Sequence, residues 1–381
     1  MLGGAVAVLV TGQIAPADAI RAINIDVMLF LFGMFVVGEA LVSSGYLSCI
    51  AHRFFSRAKN PGQVVFFILF GLGILAALLM NDTIAVIGTP LVLALAADRR
   101  ISPKLLLLSL AIAITTGSVM SPIGNPQNLL VAIGSGMASP FVTFALYLAV
   151  PTLLSLLAAY AVLRWFYRPE FRPRKYGPQP AIRCDDRLAL LAKCSLAIIL
   201  LLAAANVVAS LVSGSMLVTL PLIAIGAALP VLLFSPKRFA ILRTIDWSTL
   251  VFFAAMFVLM ESVWQTGLFQ SLVSGSMLSS VPLLLGTSVI FSQFISNVPF
   301  VALFQPLVLR AGSGTAQLMA LAAGSTIAGN LTILGAASNV IIIQNAEKQG
   351  ATLTFFEFLK VGLPITVIQI AIYWGWLAVV G

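Results

Sequence analysis

Long apolar stretches separated by short polar ones run from one end of the chain to the other. They fall at about 2–12, 26–50, 62–97, 105–134, 140–163, 188–211, 216–234, 246–272, 281–310, 316–344 and 355–380. A hydrocarbon core of ~30 Å takes about 20 apolar residues per helix, so most of these stretches read as single membrane-crossing helices. Residues 62–97 do not, because at 1.5 Å per residue they form a helix of ~54 Å. That stretch has to fold back, and its one internal polar cluster, Asn81-Asp82-Thr83, is the expected turn. Residues 281–310 break in the same way at Ser296-Asn297-Val298-Pro299, where Pro299 removes a donor and disfavours helix at Val298. Both stretches read as re-entrant helical hairpins. Two more, 105–134 and 316–344, are interrupted by Ser121-Pro122-Ile123-Gly124-Asn125-Pro126-Gln127-Asn128 and by Gly329-Asn330-Leu331-Thr332 with Gly335 to Asn339. These read as crossing helices with an unwound centre.

Composition fixes the solvent. Of 381 residues 60% are hydrophobic and 9% charged, against roughly 25% charged in soluble domains. Mean hydropathy is +1.09, so the polar residues are too few for a water-facing surface. The net charge of +9 raises nucleic acid as a partner. The placement of the basic residues argues against that, because they sit in short loops between apolar stretches. If the two hairpins return to their side of entry and the two broken helices cross, 19 of the 21 Lys and Arg share one face, and only Arg21 and Arg310 lie on the other. That asymmetry places the basic loops, among them Arg53, Arg99, Arg100, Arg174, Lys175, Arg183 and Lys237, in the cytoplasm, with the chain in the plasma (inner) membrane. Cys49, Cys184 and Cys194 lack metal-like spacing and His52 is the only histidine, so neither a zinc site nor a disulfide framework is expected. The opening MLGGAVAVLVTGQIAPADA lacks a basic start and reads as part of a helix rather than as a signal peptide.

The chain also repeats itself. Met34-Phe35-Val36-Val37-Gly38-Glu39 matches Met256-Phe257-Val258-Leu259-Met260-Glu261 at an offset of 222. Asn81 and Pro90-Leu91-Val92-Leu93 match Asn297 and Pro306-Leu307-Val308-Leu309 at 216, and Gly124 and Asn128 match Gly335 and Asn339 at 211. With the expected topology the copies are inverted. The predicted architecture is thus an all-α polytopic membrane protein of two inverted-topology repeats, 1–163 and 188–381, joined by a cytoplasmic basic loop at 164–187. Inverted repeats with discontinuous helices at matching places point to a secondary transporter with a midplane site.

Irregular backbone at membrane depth is tolerated only where it is buried in protein or lines a cavity. The four breaks therefore imply one shared polar site. Its candidate substrate- or ion-binding residues are Asn81, Asp82, Thr83, Ser121, Gly124, Asn125, Gln127 and Asn128 in one half, with Ser296, Asn297, Asn330, Thr332, Ser338 and Asn339 in the other. The competing role for each is simply to cap a broken helix. Glu39, Asp82 and Glu261 are the ionisable residues set well inside apolar stretches, and so the candidates for coupling. Asp82 is the sharper one, since its counterpart is the uncharged Val298. With no Lys, Arg or His in the core, an anionic substrate has to be met by helix starts, amides and bound Na⁺.

NDTIAVIGTPLVLAL, SPIGNPQNLL and GNLTILGAASNVIIIQNAEKQG resemble signatures of the ion transporter superfamily, closest to its branch of arsenite permeases, sodium/proton antiporters and the melanosomal P-protein. SPIGNPQN also resembles a segment of the divalent anion:sodium symporters. The resemblance implies an ion-gradient-coupled carrier, not an enzyme, built as a homodimer with an elevator-like displacement. It implies that the hairpin tips and breaks border the substrate and cation sites, with no cofactor beyond bound Na⁺. An arsenite- or antimonite-type permease driven by H⁺ or Na⁺ is the leading expectation. A sodium/proton antiporter, a dicarboxylate or citrate:sodium symporter and a channel are the alternatives. The tips here read Asn-Asp-Thr and Ser-Asn-Val rather than the Ser-Asn-Thr of the dicarboxylate symporters, which departs from a two-sodium site.

Overall fold

The computed structural model describes residues 1–46, 49–50, 55, 57–172 and 186–381. His52, Arg53, Arg174, Lys175, Arg183 and Cys184 lie outside the described residues. Every regular element among those described is helical, and seven of the helices are long and apolar enough to cross a membrane. Cys194 is a free thiol while Cys49 is disulfide-bonded, contrary to expectation, because spacing along a chain does not report distance in space.

The first hairpin joins an arm at Pro61–Leu79, with a π turn at Ile68–Leu72, to an arm at Asn81–Arg99. Asn60 caps the first arm by accepting from the Gln63 amide at 2.9 Å, and Pro61 stands where a helix has no use for its missing N–H. The reversal takes one residue, Met80, at φ 67° and ψ 143°. Asn81-Asp82-Thr83 is therefore the first turn of the second arm and not the turn itself. The reason is that a helix start has orphan amides to satisfy. The Asn81 amide donates to the Gly124 carbonyl at 2.9 Å, and the Asp82 amide to Asn81 Oδ1 at 2.9 Å. Each arm has 19 residues, so arm length does not distinguish a hairpin from two spans. The two ends lie together: the Ser102 amide donates to Glu170 Oε2 at 3.3 Å while Phe171 lies against Gly62, so both ends meet the short Arg168–Phe171 turn, as they do in either arrangement.

The second hairpin pairs Val281–Ile295 with Asn297–Arg310 and reverses at Ser296, at φ 68° and ψ 162°. Its ends also meet, through Ser313 Oγ donating to the Leu278 carbonyl at 3.2 Å and Gln317 Nε2 to that of Ser279 at 3.0 Å. Pro299 does not break this helix. It sits in the first turn, where an amide has no intrahelical acceptor to lose. The two interrupted stretches resolve as Pro103–Ser118 followed by Pro126–Gly134, and as Thr315–Ile327 followed by 3₁₀ turns at Ala328–Asn330 and Ile333–Gly335 and then Ala337–Glu347.

Small residues bring these pieces together. A Cβ on Gly117 would stand 2.1 Å from the Gly73 carbonyl oxygen, so the first hairpin seats on Pro103–Ser118 through bare backbone. Gly117→Ala should therefore cost about 1–3 kcal/mol or more of stability. Gly286→Ala, with nothing within 4 Å, should be neutral or stabilising by up to about 1 kcal/mol. Thermal unfolding in detergent checks the pair, and equal melting points would contradict the packing. At the helix starts Lys104 pairs with Glu357, which also closes a capping box with Thr354.

Candidate functional site

A cavity of about 360 Å³ lies where the four discontinuities meet. Asn81 and Asp82 reach it from one hairpin tip, and Ser296, Asn297 and Val298 from the other. Pro126 and Gln127 open one half-helix into it, Ala336 and Ala337 the other. Four helices thus begin at this cavity: Asn81–Arg99, Pro126–Gly134, Asn297–Arg310 and Ala337–Glu347. The Asn81, Asp82 and Asn128 amides are bonded within the protein, but each helix start still carries about half a positive charge and further first-turn amides, so the four together favour an anion without any basic side chain. None of the residues lining the cavity is Lys, Arg or His.

A fifth helix, Trp247–Gln265, begins here too. Its Asp246, Ser248 and Thr249 line the cavity together with Phe35, Phe252 and Phe253. Asp246 Oδ1 accepts from the Thr249 amide at 2.9 Å, and the Ser248 and Thr249 hydroxyls donate to its carboxylate. Two carboxylates, Asp82 and Asp246, therefore share the walls with four helix starts. Asn297 is nine-tenths buried, and its Oδ1 has no hydrogen-bond donor among the described residues, so the second tip presents an unpaired acceptor.

The two breaks are held by one device. Asn128 Nδ2 donates to the carbonyls of Ser118, Val119 and Ser121 at 3.1, 3.0 and 3.0 Å. Asn339 Nδ2 donates to those of Gly329 at 2.6 Å and Thr332 at 3.4 Å. Ser118 and Ser121 shifted by the 211 that relates Asn128 to Asn339 are Gly329 and Thr332. Each asparagine thus gathers the carbonyls at a broken helix end, and it is the one donor among the described residues for Val119 in the first break and Gly329 in the second. Thr326 locks the first break further: its Oγ1 accepts from Asn125 Nδ2 at 3.3 Å and Gln127 Nε2 at 3.2 Å, and donates to Asn128 Oδ1 at 3.2 Å.

The candidate residues accordingly divide. Asn81, Asp82, Gln127, Ser296 and Asn297 face the cavity. Ser338 stands behind the first tip and accepts from Asn81 Nδ2 at 3.4 Å. Asn125 caps Pro126–Gly134 through the Asn128 amide at 2.8 Å, and Ser121 Oγ accepts from the Ile123 amide at 3.3 Å. Gly124 leaves no room for a side chain, since a Cβ would meet the Ser118 carbonyl at 2.3 Å. Asn330 is tied to Thr116 and Gln369 at 3.0 and 2.8 Å, and Thr332 Oγ1 to Gln293 at 2.7 Å. Thr83 packs against Gly38 rather than into the cavity. Glu39 and Glu261 also stand apart. Glu39 accepts from Ser43 Oγ at 2.7 Å and Glu261 from Gln265 Nε2 at 3.0 Å, each within its own helix. Asp246, Ser248, Thr249 and Thr326 are the site residues that sequence reasoning missed. The N-cap pattern Asp-x-x-Thr at Asp246 is visible in the sequence, but it signals only a helix start.

A second cavity of about 400 Å³ follows the same helices farther along, reaching Leu130 and Gly134, Phe257 and Glu261, and Gln305 and Arg310. Arg310 lies over the Trp264 ring at 4.9 Å there. Phe253 and Phe257, one turn apart on Trp247–Gln265, front the two cavities from either side of the barrier between them.

The chain is similar to known transporters over nearly its whole length. An uncharacterized transporter of Mycobacterium tuberculosis (strain ATCC 25618 / H37Rv) is 28% identical over 403 residues, covering 97% of this chain and 90% of that protein. The silicon efflux transporter LSI3 of rice, Oryza sativa subsp. japonica, is 27% identical over 97% of this chain and 90% of its own. The mouse P protein is 23% identical over 92% of this chain and 53% of its own. The crystal structure of the YdaH transporter of Alcanivorax borkumensis, described as having an unusual topology, shares the fold with a TM-score of 0.64 at 17% identity, covering 95% of this chain and 86% of that one. The model of the citrate transporter family, CitMHS, matches residues 1–317. The chain belongs to that family, within the ion transporter superfamily, and is a multi-pass membrane transporter rather than an enzyme.

Proposed function

We propose that this chain is an ion-gradient-driven secondary transporter of the plasma (inner) membrane. It carries a small oxyanion or its protonated acid, of the arsenite or antimonite type, with Asp82 taking the coupling proton or helping to hold a coupling Na⁺. One observation carries this reading: four helix starts and a hairpin-tip carboxylate converge on one cavity whose walls contain no basic side chain. Helix starts donate to the oxygens of a small oxyacid, while the carboxylates accept from its hydroxyls. The unpaired Asn297 Oδ1 suits a cation or a hydroxyl donor. A rice relative named for silicon efflux fits the same chemistry, because dissolved silicon near neutral pH is also a small hydroxide. The matching tips at Met80 and Ser296 and the matching clasps at Asn128 and Asn339 support the division into repeats at 1–163 and 188–381. The second cavity, set along the same helix faces, supports alternating access from the opposite side.

The description of the family model, a citrate transporter, favours citrate as the substrate in a second reading, and we take a citrate:sodium symporter as its coupled form. A free citrate trianion beside Asp82 and Asp246 needs cations bound with it, so citrate uptake should then require Na⁺ or a divalent metal. Uptake by purified protein in proteoliposomes, measured for arsenite, silicic acid, phosphate, citrate and Na⁺ with and without a pH gradient, separates the readings. Arsenite or silicic acid flux that rises with the gradient supports the first. Citrate flux alone supports the second, and Na⁺ movement against protons alone would replace both with an antiporter.

A further inference from the structure

We propose that a pocket at the end of the Pro140–Phe166 helix binds an anionic phospholipid. The pocket is about 590 Å³ and is lined by Ala161, Arg164, Trp165, Arg168, Phe171 and Arg172. All three arginines are exposed, and among the described residues none of them forms an ion pair. The acid in the same turn, Glu170, is directed to the Ser102 amide at 3.3 Å. Three guanidinium groups on one wall thus have no protein anion to satisfy them among the described residues. Their forked donors match phosphate oxygens.

The walls say why the phosphate belongs to a lipid. A second pocket of about 470 Å³ shares Arg164 and Phe171 with the first and continues along Phe66, Leu157 and Tyr160. Leu157 is 49% exposed and Trp165 59%, so an apolar groove runs from the arginines along the face of a helix long and apolar enough to span the bilayer. Phosphate held by arginines, with acyl chain laid on aromatic and aliphatic side chains below, is the arrangement of a headgroup site at a membrane interface. A soluble phosphate would use the upper pocket and leave the groove empty. Phe66 and Gln63 belong to the first arm of the hairpin whose tip carries Asn81 and Asp82, so the lipid would bridge that hairpin to the Pro140–Phe166 helix.

The test uses the full chain in a neutral detergent, titrated separately with dioleoyl phosphatidylglycerol, dioleoyl phosphatidylcholine and inorganic phosphate. Retained lipid is read by native mass spectrometry and melting temperature in parallel. The wild type should retain phosphatidylglycerol and melt higher with it, and respond to neither of the other two. Since one basic residue near an anionic surface contributes about a fivefold preference, the triple variant Arg164→Gln, Arg168→Gln, Arg172→Gln should bind phosphatidylglycerol roughly 100-fold more weakly. Leu157→Trp keeps all three charges, fills the groove and should also weaken lipid retention, which covers the case of a triple variant that misfolds. Retention by the folded triple variant equal to wild type, retention by Leu157→Trp equal to wild type, or inorganic phosphate reproducing the full thermal shift would each overturn the proposal.

Discussion

Asp82→Asn should abolish gradient-driven flux, by roughly 100-fold or more, while leaving a folded protein. The substitution changes one atom and keeps the backbone contact that orders the tip, since the Asp82 amide rather than its side chain donates to Asn81 Oδ1. It leaves the four helix starts intact, so a substrate can still be met by their amides. What it removes is the carboxylate that can take up and release a proton or neutralise a cation within the transport path. The second tip supplies no replacement, because Val298 stands at the corresponding place. Melting temperature near that of the wild type together with lost uptake is the expected pair of results in proteoliposomes. Undiminished transport that still responds to a pH gradient would exclude Asp82 as the coupling group.

Asn128→Ala should unfold the first break. The side-chain amide of Asn128 is the donor for three carbonyls at the end of Pro103–Ser118 and just beyond it, and Asn128 is fully buried. The Ser118 and Ser121 carbonyls also accept from the Ser121 and Gly124 amides, so only that of Val119 is left without a donor, at about 1–3 kcal/mol. With about 1 kcal/mol for each of the other three hydrogen bonds lost, to Ser118, Ser121 and Thr326, the loss comes to about 3–6 kcal/mol, a large fraction of the stability of most domains. Asn339→Ala leaves the Gly329 carbonyl bare while that of Thr332 keeps the Gly335 amide, and with fewer bonds lost it should cost less, about 2–4 kcal/mol. Asn128→Asp tests the direction of the bonds, because it turns an acceptor toward acceptors and should do no better than alanine. Thermal unfolding of the three variants in detergent should give the wild type the highest melting point and Asn339→Ala the next. A wild-type melting point for Asn128→Ala would show that water or backbone rearrangement satisfies the break.

Much of this arrangement is legible in the sequence because polar residues are so expensive in apolar stretches that each one marks a structural event. Asn81 and Asn297 mark the tips, one residue after the reversal itself, since Met80 and Ser296 carry the positive φ. Asn128 and Asn339 mark the breaks, and their constant offset reflects a shared hydrogen-bonding task. What the pattern cannot separate is a polar residue that satisfies backbone from one that faces a substrate. Asn125, Asn128, Asn330 and Asn339 are occupied with the breaks, while Asn81, Gln127 and Asn297 face the cavity. Asp246 went unseen for a different reason. It lies at the edge of an apolar stretch and behaves there as an N-cap, so only the approach of two hairpin tips from elsewhere in the chain turns it into a wall of the cavity. Glu39 and Glu261 show the reverse: their matched positions in apolar helices mark a shared helix pattern, and each is bonded one turn along its own helix.

The most direct measurement is arsenite accumulation by the purified protein in sealed proteoliposomes with equal arsenite on both sides, before and after a pH or Na⁺ gradient is imposed. A coupled carrier with its site at the two hairpin tips predicts no net movement at first, accumulation above the outside concentration once the gradient is present, and none with Asp82→Asn. Exchange of labelled arsenite across the membrane with no net accumulation under either gradient, unchanged by Asp82→Asn, would mean a channel and would contradict coupling at this site.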